Sequence, residues 1–179
     1  MRFAVLMRKQ FIDNPWISFR WLPQEVLPDF GQFTNASTSE NKISGQFLGR
    51  DDQGESWLFT GYELHLFPDE AEGYYLNLSA TQPAWFVMWR LEEEIDRYLD
   101  AQSIELAKSE PTFAVPHRIS VSYNEAGRLL DGGESVDSIP MTEEHASWLQ
   151  EFVNEHYRPE PKKRHRPASF RGADRSAED

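Results

Sequence analysis

Two groups of acidic side chains in this sequence could hold a hard cation or exchange protons with a substrate. Asp69, Glu70 and Glu72 lie together in the segment FPDEAEG, and residues 92–94 form a second acidic run with Asp96. The first group lacks the alternating oxygen ligands of a calcium loop and the glutamate at its twelfth position. Carboxylates that act as acid and base need environments of different polarity, and neither run indicates a selectively buried member. We therefore interpret both groups as solvated surface.

Histidine and cysteine usage predicts neither a metal centre nor thiol chemistry. His145 and His156 lie three turns apart on a predicted helix, whereas two ligands of one metal on a single helix stand at i and i+4. The chain has no cysteine, which excludes a disulfide, a cysteine zinc site, a cysteine-bound iron–sulfur cluster and a thiol nucleophile. It also has neither a G-x-S-x-G motif nor a phosphate-binding glycine loop. The sequence predicts a non-enzymatic protein without catalytic residues, cofactor or bound metal.

The charge distribution divides the chain into an acidic body and a basic end. Residues 1–157 carry 11 Lys and Arg against 26 Asp and Glu, and residues 158–179 carry 7 against 4, so the body is −15 and the end +3. A nucleic-acid surface needs positive charge clustered on the fold itself, so nucleic acid is a disfavoured partner. We regard the cluster Lys162, Lys163, Arg164 and Arg166 as a candidate contact for a protein partner.

Two tryptophans near the start of the chain are the other candidates for partner binding. Trp16 and Trp21 lie in the segment NPWISFRWLP. Tryptophan is a common anchor residue at protein interfaces, but it is also highly buried on average. The pair therefore fits either an exposed contact surface or the core, and core positions are the preferred interpretation.

The segment from Trp57 to Trp89 is the densest apolar and aromatic stretch and should form the centre of the fold. Alternating apolar residues predict strands over residues 57–67 and 74–79, and a run that is apolar on both faces predicts a third over 84–89. If these strands surround a cavity, their aromatic side chains would line a pocket for a small molecule or substrate. The pocket candidates are Trp57, Tyr62, Tyr74, Tyr75, Trp85 and Trp89.

The first part of the chain predicts two further strands. Arg2–Arg8 is one, and Ser18–Leu27 is a second whose Pro23 places it at a sheet edge or a bulge. Residues 28–45 are polar and without pattern, which is typical of a surface loop. Asp51–Gly54 has the composition of a hairpin turn, in which glycine supplies a positive φ.

The later part of the chain predicts helices. Residues 91–109 have apolar side chains at helical spacing. A helix over 123–130 should begin at Ser122, which is spaced as a capping box with Glu125. The strongest pattern begins after Thr142, where an amphipathic stripe continues to residue 157.

These elements predict one α+β domain over residues 1–157, followed by a disordered basic tail over 158–179. The expected architecture is an antiparallel sheet or partly closed barrel of about six strands, with C-terminal helices packed on it. No apolar run approaches the roughly 18 residues of a membrane span, and the apolar start is too short for a signal peptide, so we expect a cytoplasmic protein that does not enter the membrane.

Several segments taken together resemble a bacterial family of uncharacterised proteins, the domain of unknown function 3305. The resemblance is carried by NPW, DEAEGYYLNL, LDGGE and HYRPEPKK, and it covers nearly the whole chain. It assigns no catalytic residue. Members of that family tend to be encoded beside formate dehydrogenases of the molybdenum type.

The resemblance therefore implies a non-enzymatic accessory factor that binds a formate dehydrogenase subunit or one of its maturation factors. The alternative is an enzyme or small-molecule binder that uses the aromatic pocket described above. A basic-tailed nucleic-acid binder ranks third.

Overall fold

The computed structural model describes residues 1–33 and 42–159 of the chain. This part of the protein is built from seven strands and four α-helices. The strands are β1 (Arg2–Phe11), β2 (Phe19–Pro28), β3 (Ser44–Asp51), β4 (Gly54–Glu63), β5 (Ala84–Glu92), β6 (Phe113–Ser120) and β7 (Ser135–Pro140). The helices are α1 (Ala71–Leu78), α2 (Ala101–Ala107), α3 (Tyr123–Asp131) and α4 (Glu143–His156).

The strands form two antiparallel sheets, in the orders β2-β1-β4-β3 and β6-β5-β7. The predicted α+β class and antiparallel pairing are therefore confirmed. The expectation of one sheet or a partly closed barrel of about six strands is met only in part, because the described residues form two separate sheets of four and three strands. Closure requires every strand to have hydrogen-bonded neighbours on both sides, whereas within the described ranges β2, β3, β6 and β7 each pair with a single strand.

The core lies where the two sheets face each other. The ring centroids of Phe3 in β1 and Trp85 in β5 are 4.8 Å apart, and those of Trp57 in β4 and Phe113 in β6 are 4.6 Å apart. Helix α4 adds Leu149 and Val153 to the same apolar cluster. Because successive side chains of a strand point to opposite faces, the apolar residues at alternate positions of β1 supply one wall of this core.

The local predictions for the first sheet are confirmed. Strand β2 lies at the edge of its sheet, and Pro23 pairs with Met7 where the register between β1 and β2 shifts. The turn after Asp51 ends at Gly54, whose φ is 155°. A Cβ atom at Gly54 would stand 2.1 Å from the carbonyl oxygen of Lys9, so only glycine fits.

The predicted helix starts are also confirmed. The Ser122 hydroxyl accepts from the Glu125 amide at 3.1 Å, and the Thr142 hydroxyl accepts from the His145 amide at 3.3 Å. The reciprocal half of the capping box does not form, because the Ser122 amide donates to the Ser120 hydroxyl instead, at 3.1 Å.

Two predicted elements are wrong. The strand predicted over 74–79 is wrong, because residues 74–78 belong to helix α1 and Ser79 caps its C-terminal end. The helix is favoured by its packing against α3 and α4. The helix predicted over 91–109 is replaced by the end of β5, a 3₁₀ turn at Ile95–Arg97 and the short α2. Strand β7 was not predicted, because Ile139 is its only buried residue and gives no alternation.

Candidate functional site

A cleft of about 400 Å³ lies at the end of the first sheet, where β1 leaves the core. Phe3, Val5 and Met7 fill the core from alternate positions of β1, and the next inward positions are occupied by Lys9 and Phe11. We call this the Lys9 cleft. Its lining residues are Lys9, Phe11, Ser18, Phe19, Arg50, Glu55, Trp57, Leu106, Ala107, Ser109, Glu110 and Phe113.

Lys9 is the most enclosed charge of the cleft, since its side chain is only 6% exposed. Its ammonium donates to the Glu110 carboxylate at 2.5 Å and lies 4.3 Å from the centre of the Phe19 ring. A buried ammonium needs a carboxylate partner, and the negative face of an aromatic ring adds to the stabilisation. Glu110 is carried into position by the turn after α2, where its amide donates to the Ala107 carbonyl at 3.0 Å.

Glu55 lies opposite Lys9 on β4 and has three long contacts. Its carboxylate is 3.9 Å from the Lys9 ammonium, 3.6 Å from the Arg50 guanidinium and 3.3 Å from the Trp57 indole nitrogen. All three exceed the 2.7–2.9 Å of a strong charge-assisted hydrogen bond. The guanidinium of Arg50 also lies 4.8 Å from the centre of the Phe11 ring.

The loop between β1 and β2 stands beside the cleft, because Ser18 at its end belongs to the cleft lining. The amide of Ile12 donates to the Ser18 carbonyl at 2.9 Å, which closes the loop at its base. The amide of Trp16 donates to the Asn14 side-chain oxygen at 2.8 Å. The Trp16 side chain itself is 90% exposed, and its neighbour Ile17 is exposed as well.

The two tryptophans predicted as one candidate site are separated by the fold. Trp21 is 8% exposed, and its ring centroid lies 4.6 Å from that of Phe113. Its indole nitrogen is buried without a hydrogen-bond partner among the residues that the structure describes. Trp21 is therefore a core residue, as the preferred interpretation expects, whereas Trp16 is exposed and lies outside the core. The role of the pair as partner contacts stays a prediction.

The motif DEAEGYYLNL forms a second polar cluster, which we call the Asn77 clamp. The side-chain amide of Asn77 donates to the carbonyls of Ala84 and Val121 at 2.8 and 2.9 Å, and its oxygen accepts from the Ala84 amide at 2.9 Å. The Ser122 hydroxyl donates to the Glu70 carboxylate at 2.7 Å. These bonds join α1 and the residue before it to the start of β5 and to the short connection between β6 and α3.

Glu70 and Gly73 complete the Asn77 clamp. Glu70 accepts from Arg128 of α3 at 2.5 Å in addition to Ser122, so its interpretation as a purely solvated residue is wrong. A Cβ atom at Gly73 would stand 2.2 Å from the Ser122 hydroxyl oxygen, so glycine permits the close approach. The hydrogen bonds of Asn77 and Glu70 to other segments of the described chain give the motif an architectural role.

A comparison with family models identifies the family of the chain. The model of the family described as "Protein of unknown function (DUF3305)" matches residues 2–166. The chain belongs to this family. The match covers the β1–β2 loop, the Lys9 cleft and the Asn77 clamp, and the family description assigns no activity. No curated protein and no solved structure matches the chain.

The family model reaches into the basic cluster, which the structure does not describe. Lys162, Lys163, Arg164 and Arg166 lie outside the described residues, as does most of the tail predicted over 158–179. Their role as partner contacts stays a prediction. Over the described ranges, no helix is long and apolar enough to cross a membrane.

The aromatic residues predicted to share one pocket lie in different places. Only Trp57 reaches the Lys9 cleft. Tyr62, Tyr74 and Trp85 are buried in the core. Tyr75 stacks on Tyr157 with ring centroids 4.5 Å apart, and the remaining member, Trp89, donates its indole N–H to Asp137 at 2.7 Å. In the described part of the chain, these six rings are therefore distributed among the core, the Lys9 cleft and the surface.

The histidines that the structure describes belong to no cluster that could hold a metal ion. Among residues 1–33 and 42–159, no group of three or more histidine, aspartate or glutamate side chains is arranged to hold a metal ion. His145 is buried with its ring edge against Phe3 and Trp85, at centroid distances of 5.9 and 5.3 Å. This burial lowers the pKa of His145 below its ordinary 6.5, since the charged imidazolium would lose its hydration.

Proposed function

We propose that this protein is a non-enzymatic, protein-binding accessory factor for a molybdenum-type formate dehydrogenase, and that it binds a subunit of that enzyme or one of its maturation factors in the cytoplasm. The observation that carries the binding role is Trp16, which is 90% exposed at the tip of a loop closed by its own hydrogen bonds. The identity of the partner rests on the family resemblance and on the gene neighbourhood that the resemblance implies.

An exposed tryptophan on a braced loop suits protein recognition. Tryptophan is enriched among the few interface residues that dominate binding energy. The bonds from Ile12 to Ser18 and from Trp16 to Asn14 hold the loop in one conformation before binding. Because less conformational freedom is then lost on association, more of the contact energy appears as affinity.

The proposal is tested by measuring the binding of the purified chain to each formate dehydrogenase subunit, mature and precursor, by biolayer interferometry. The Trp16→Ala variant should bind at least about tenfold more weakly, chiefly through faster dissociation, with its unfolding free energy unchanged. Tyr123→Ala, which truncates an exposed aromatic on α3, is the matched control and should bind as the wild type does. Absence of binding by the wild-type chain to every subunit and maturation factor at micromolar concentration and low salt would refute the proposal.

The basic cluster is proposed to assist the encounter. A +3 segment on a −15 body attracts an acidic partner that the body alone would repel. Removing residues 158–179, and with them Lys162, Lys163, Arg164 and Arg166, should slow association and flatten its dependence on salt, while dissociation changes little. Equal association rates for both chains at low salt would show that the cluster has no such role.

A further inference from the structure

The Lys9 cleft already contains two cations of the chain, each placed on the face of an aromatic ring and beside a carboxylate. The Lys9 ammonium lies over Phe19 and donates to Glu110, and the Arg50 guanidinium lies over Phe11 and faces Glu55. Ring faces and carboxylates are the groups that recognise guanidinium and ammonium ions. The cleft therefore has the chemistry of a receptor for positively charged side chains.

The two cations are held very differently. Lys9 is 6% exposed and 2.5 Å from its carboxylate partner, so it is a fixed part of the fold. The Arg50 side chain is 65% exposed and 3.6 Å from Glu55. A contact of this length between an exposed arginine and a carboxylate is weak, so Arg50 can be exchanged for another cation at little cost.

The charge of the cleft decides which ligand can replace Arg50. An anionic ligand would place a third negative charge beside Glu55 and Glu110 and would have to take Lys9 from its partner. A cation meets Glu55, whose three contacts are all long, and a body of residues 1–157 with 11 Lys and Arg against 26 Asp and Glu. The volume of about 400 Å³ falls within the range of ligand pockets.

We propose that the Lys9 cleft receives the side chain of an arginine from a protein partner, which displaces Arg50 and lies between the Phe11 ring and the Glu55 carboxylate. Arginine is favoured over lysine because its planar guanidinium stacks on a ring while two of its N–H groups face one carboxylate. The identity of the partner rests on the proposed function, whereas the recognition of arginine rests on the cleft alone. The exposed Trp16, two residues before the cleft-lining Ser18, would contact the same partner.

The test uses a capped Gly-Arg-Gly tripeptide as the probe and the indole N–H signal of Trp57 as the readout, observed by ¹H–¹⁵N NMR on the full chain. This N–H points to Glu55 at 3.3 Å, so occupation of the cleft should move its signal in a saturable manner. The same peptide with citrulline in place of arginine is the matched neutral probe and should leave the signal in place. A response of equal size to both peptides would overturn the proposal.

Two variants separate recognition from a structural effect. Glu55→Gln should weaken arginine binding about tenfold, because the charged partner of the guanidinium is lost. Arg50→Ala should strengthen it about two- to fivefold, because the internal competitor is gone. Arg118→Ala, which removes an exposed arginine paired with Glu125, should leave the affinity unchanged. Unchanged or weaker binding by Arg50→Ala would refute the displacement.

The peptide titration requires no formate dehydrogenase, so the two proposals fail separately. Saturable arginine binding together with no binding to any enzyme subunit would support the arginine site and refute formate dehydrogenase as the partner. Conversely, binding of a subunit that is insensitive to Glu55→Gln and to competition by the arginine peptide would support the accessory role and overturn the arginine site.

Discussion

The Asn77 clamp and the Lys9 cleft both collect polar side chains from distant segments, but they differ in how completely those side chains are bonded. Asn77 is 1% exposed, and its hydrogen bonds measure 2.8–2.9 Å. The Glu55 carboxylate, by contrast, contacts Trp57, Arg50 and Lys9 at the longer distances of 3.3, 3.6 and 3.9 Å. A fully bonded cluster stabilises the fold, whereas a loosely held charge at an open cleft remains free to exchange partners.

The largest effect should come from the Asn77 clamp. Asn77→Ala removes three hydrogen bonds and leaves the backbone groups of Ala84 and Val121 without partners, so the free energy of unfolding should fall by about 2–4 kcal/mol in urea denaturation. Asn154→Ala, on the exposed side of α4, is the matched control and should change it by less than about 0.5 kcal/mol. A loss below about 1 kcal/mol for Asn77→Ala would mean that the clamp is not a stabilising structure.

Two glycine substitutions compare a closely packed position in the Asn77 clamp with an open position in α3. Gly73→Ala should lower the unfolding free energy by about 1–3 kcal/mol despite its better helix propensity, because the new Cβ would stand 2.2 Å from the Ser122 hydroxyl. Gly127→Ala in α3 meets no atom within 4 Å and should raise it by up to about 1 kcal/mol. Both are read from the same denaturation series. Effects of equal sign would contradict the close packing of α1 against Ser122.

The next prediction concerns how His145, a buried side chain with one unbonded nitrogen, makes the stability depend on pH. Its Nδ1 has no hydrogen-bond partner in the described part of the chain, and burial lowers its pKa below 6.5, against a smaller opposing effect of Glu144. Because the unfolded chain then binds the proton more readily, the contribution of His145 to the free energy of unfolding is fully present above the unfolded pKa. This contribution is lost as the pH falls toward the lowered folded pKa.

The measurement compares unfolding free energies of the wild type and of His145→Met from about pH 7 to about pH 5. The wild type should lose more stability than the variant over this interval. Parallel curves would show that His145 does not titrate differently in the folded and unfolded chains.

The smallest effect on stability should come from Glu55→Gln. Its three long contacts contribute little to folding, so the unfolding free energy should change by no more than about 0.5 kcal/mol, while arginine binding falls. A loss of several kcal/mol would make Glu55 a structural residue like Asn77 and remove the distinction between the two clusters.

Structural features that depend only on neighbouring residues could be predicted from the sequence. The caps at Ser122 and Thr142, the turn at Gly54 and the bulge at Pro23 each follow from the backbone preferences of one or two residues. Segment 74–79 could not be assigned correctly from the sequence because its six residues fit a strand or a helix equally well, and the packing of α1 against α3 and α4 decides between them.

The Lys9 cleft could not be predicted because its members come from segments far apart in sequence. One indication was present, since Lys9 follows Phe3, Val5 and Met7 at the alternate positions that face the core. An ionisable residue in that series requires a charged partner from elsewhere in the fold. Nothing local to Glu110 or Glu55 identified them as that partner.

The ion pair between Lys9 and Glu110 also has a consequence for folding during synthesis. The two residues are 101 positions apart in the chain, whereas all four strands of the first sheet lie within the first 63 residues. The first sheet can therefore pair on the ribosome while Lys9 is still hydrated and the cleft has only one side. Long-range contacts form late because closing a long loop costs entropy before the contact stabilises it. The nascent chain should thus acquire its cleft only after α2 and the following turn have emerged.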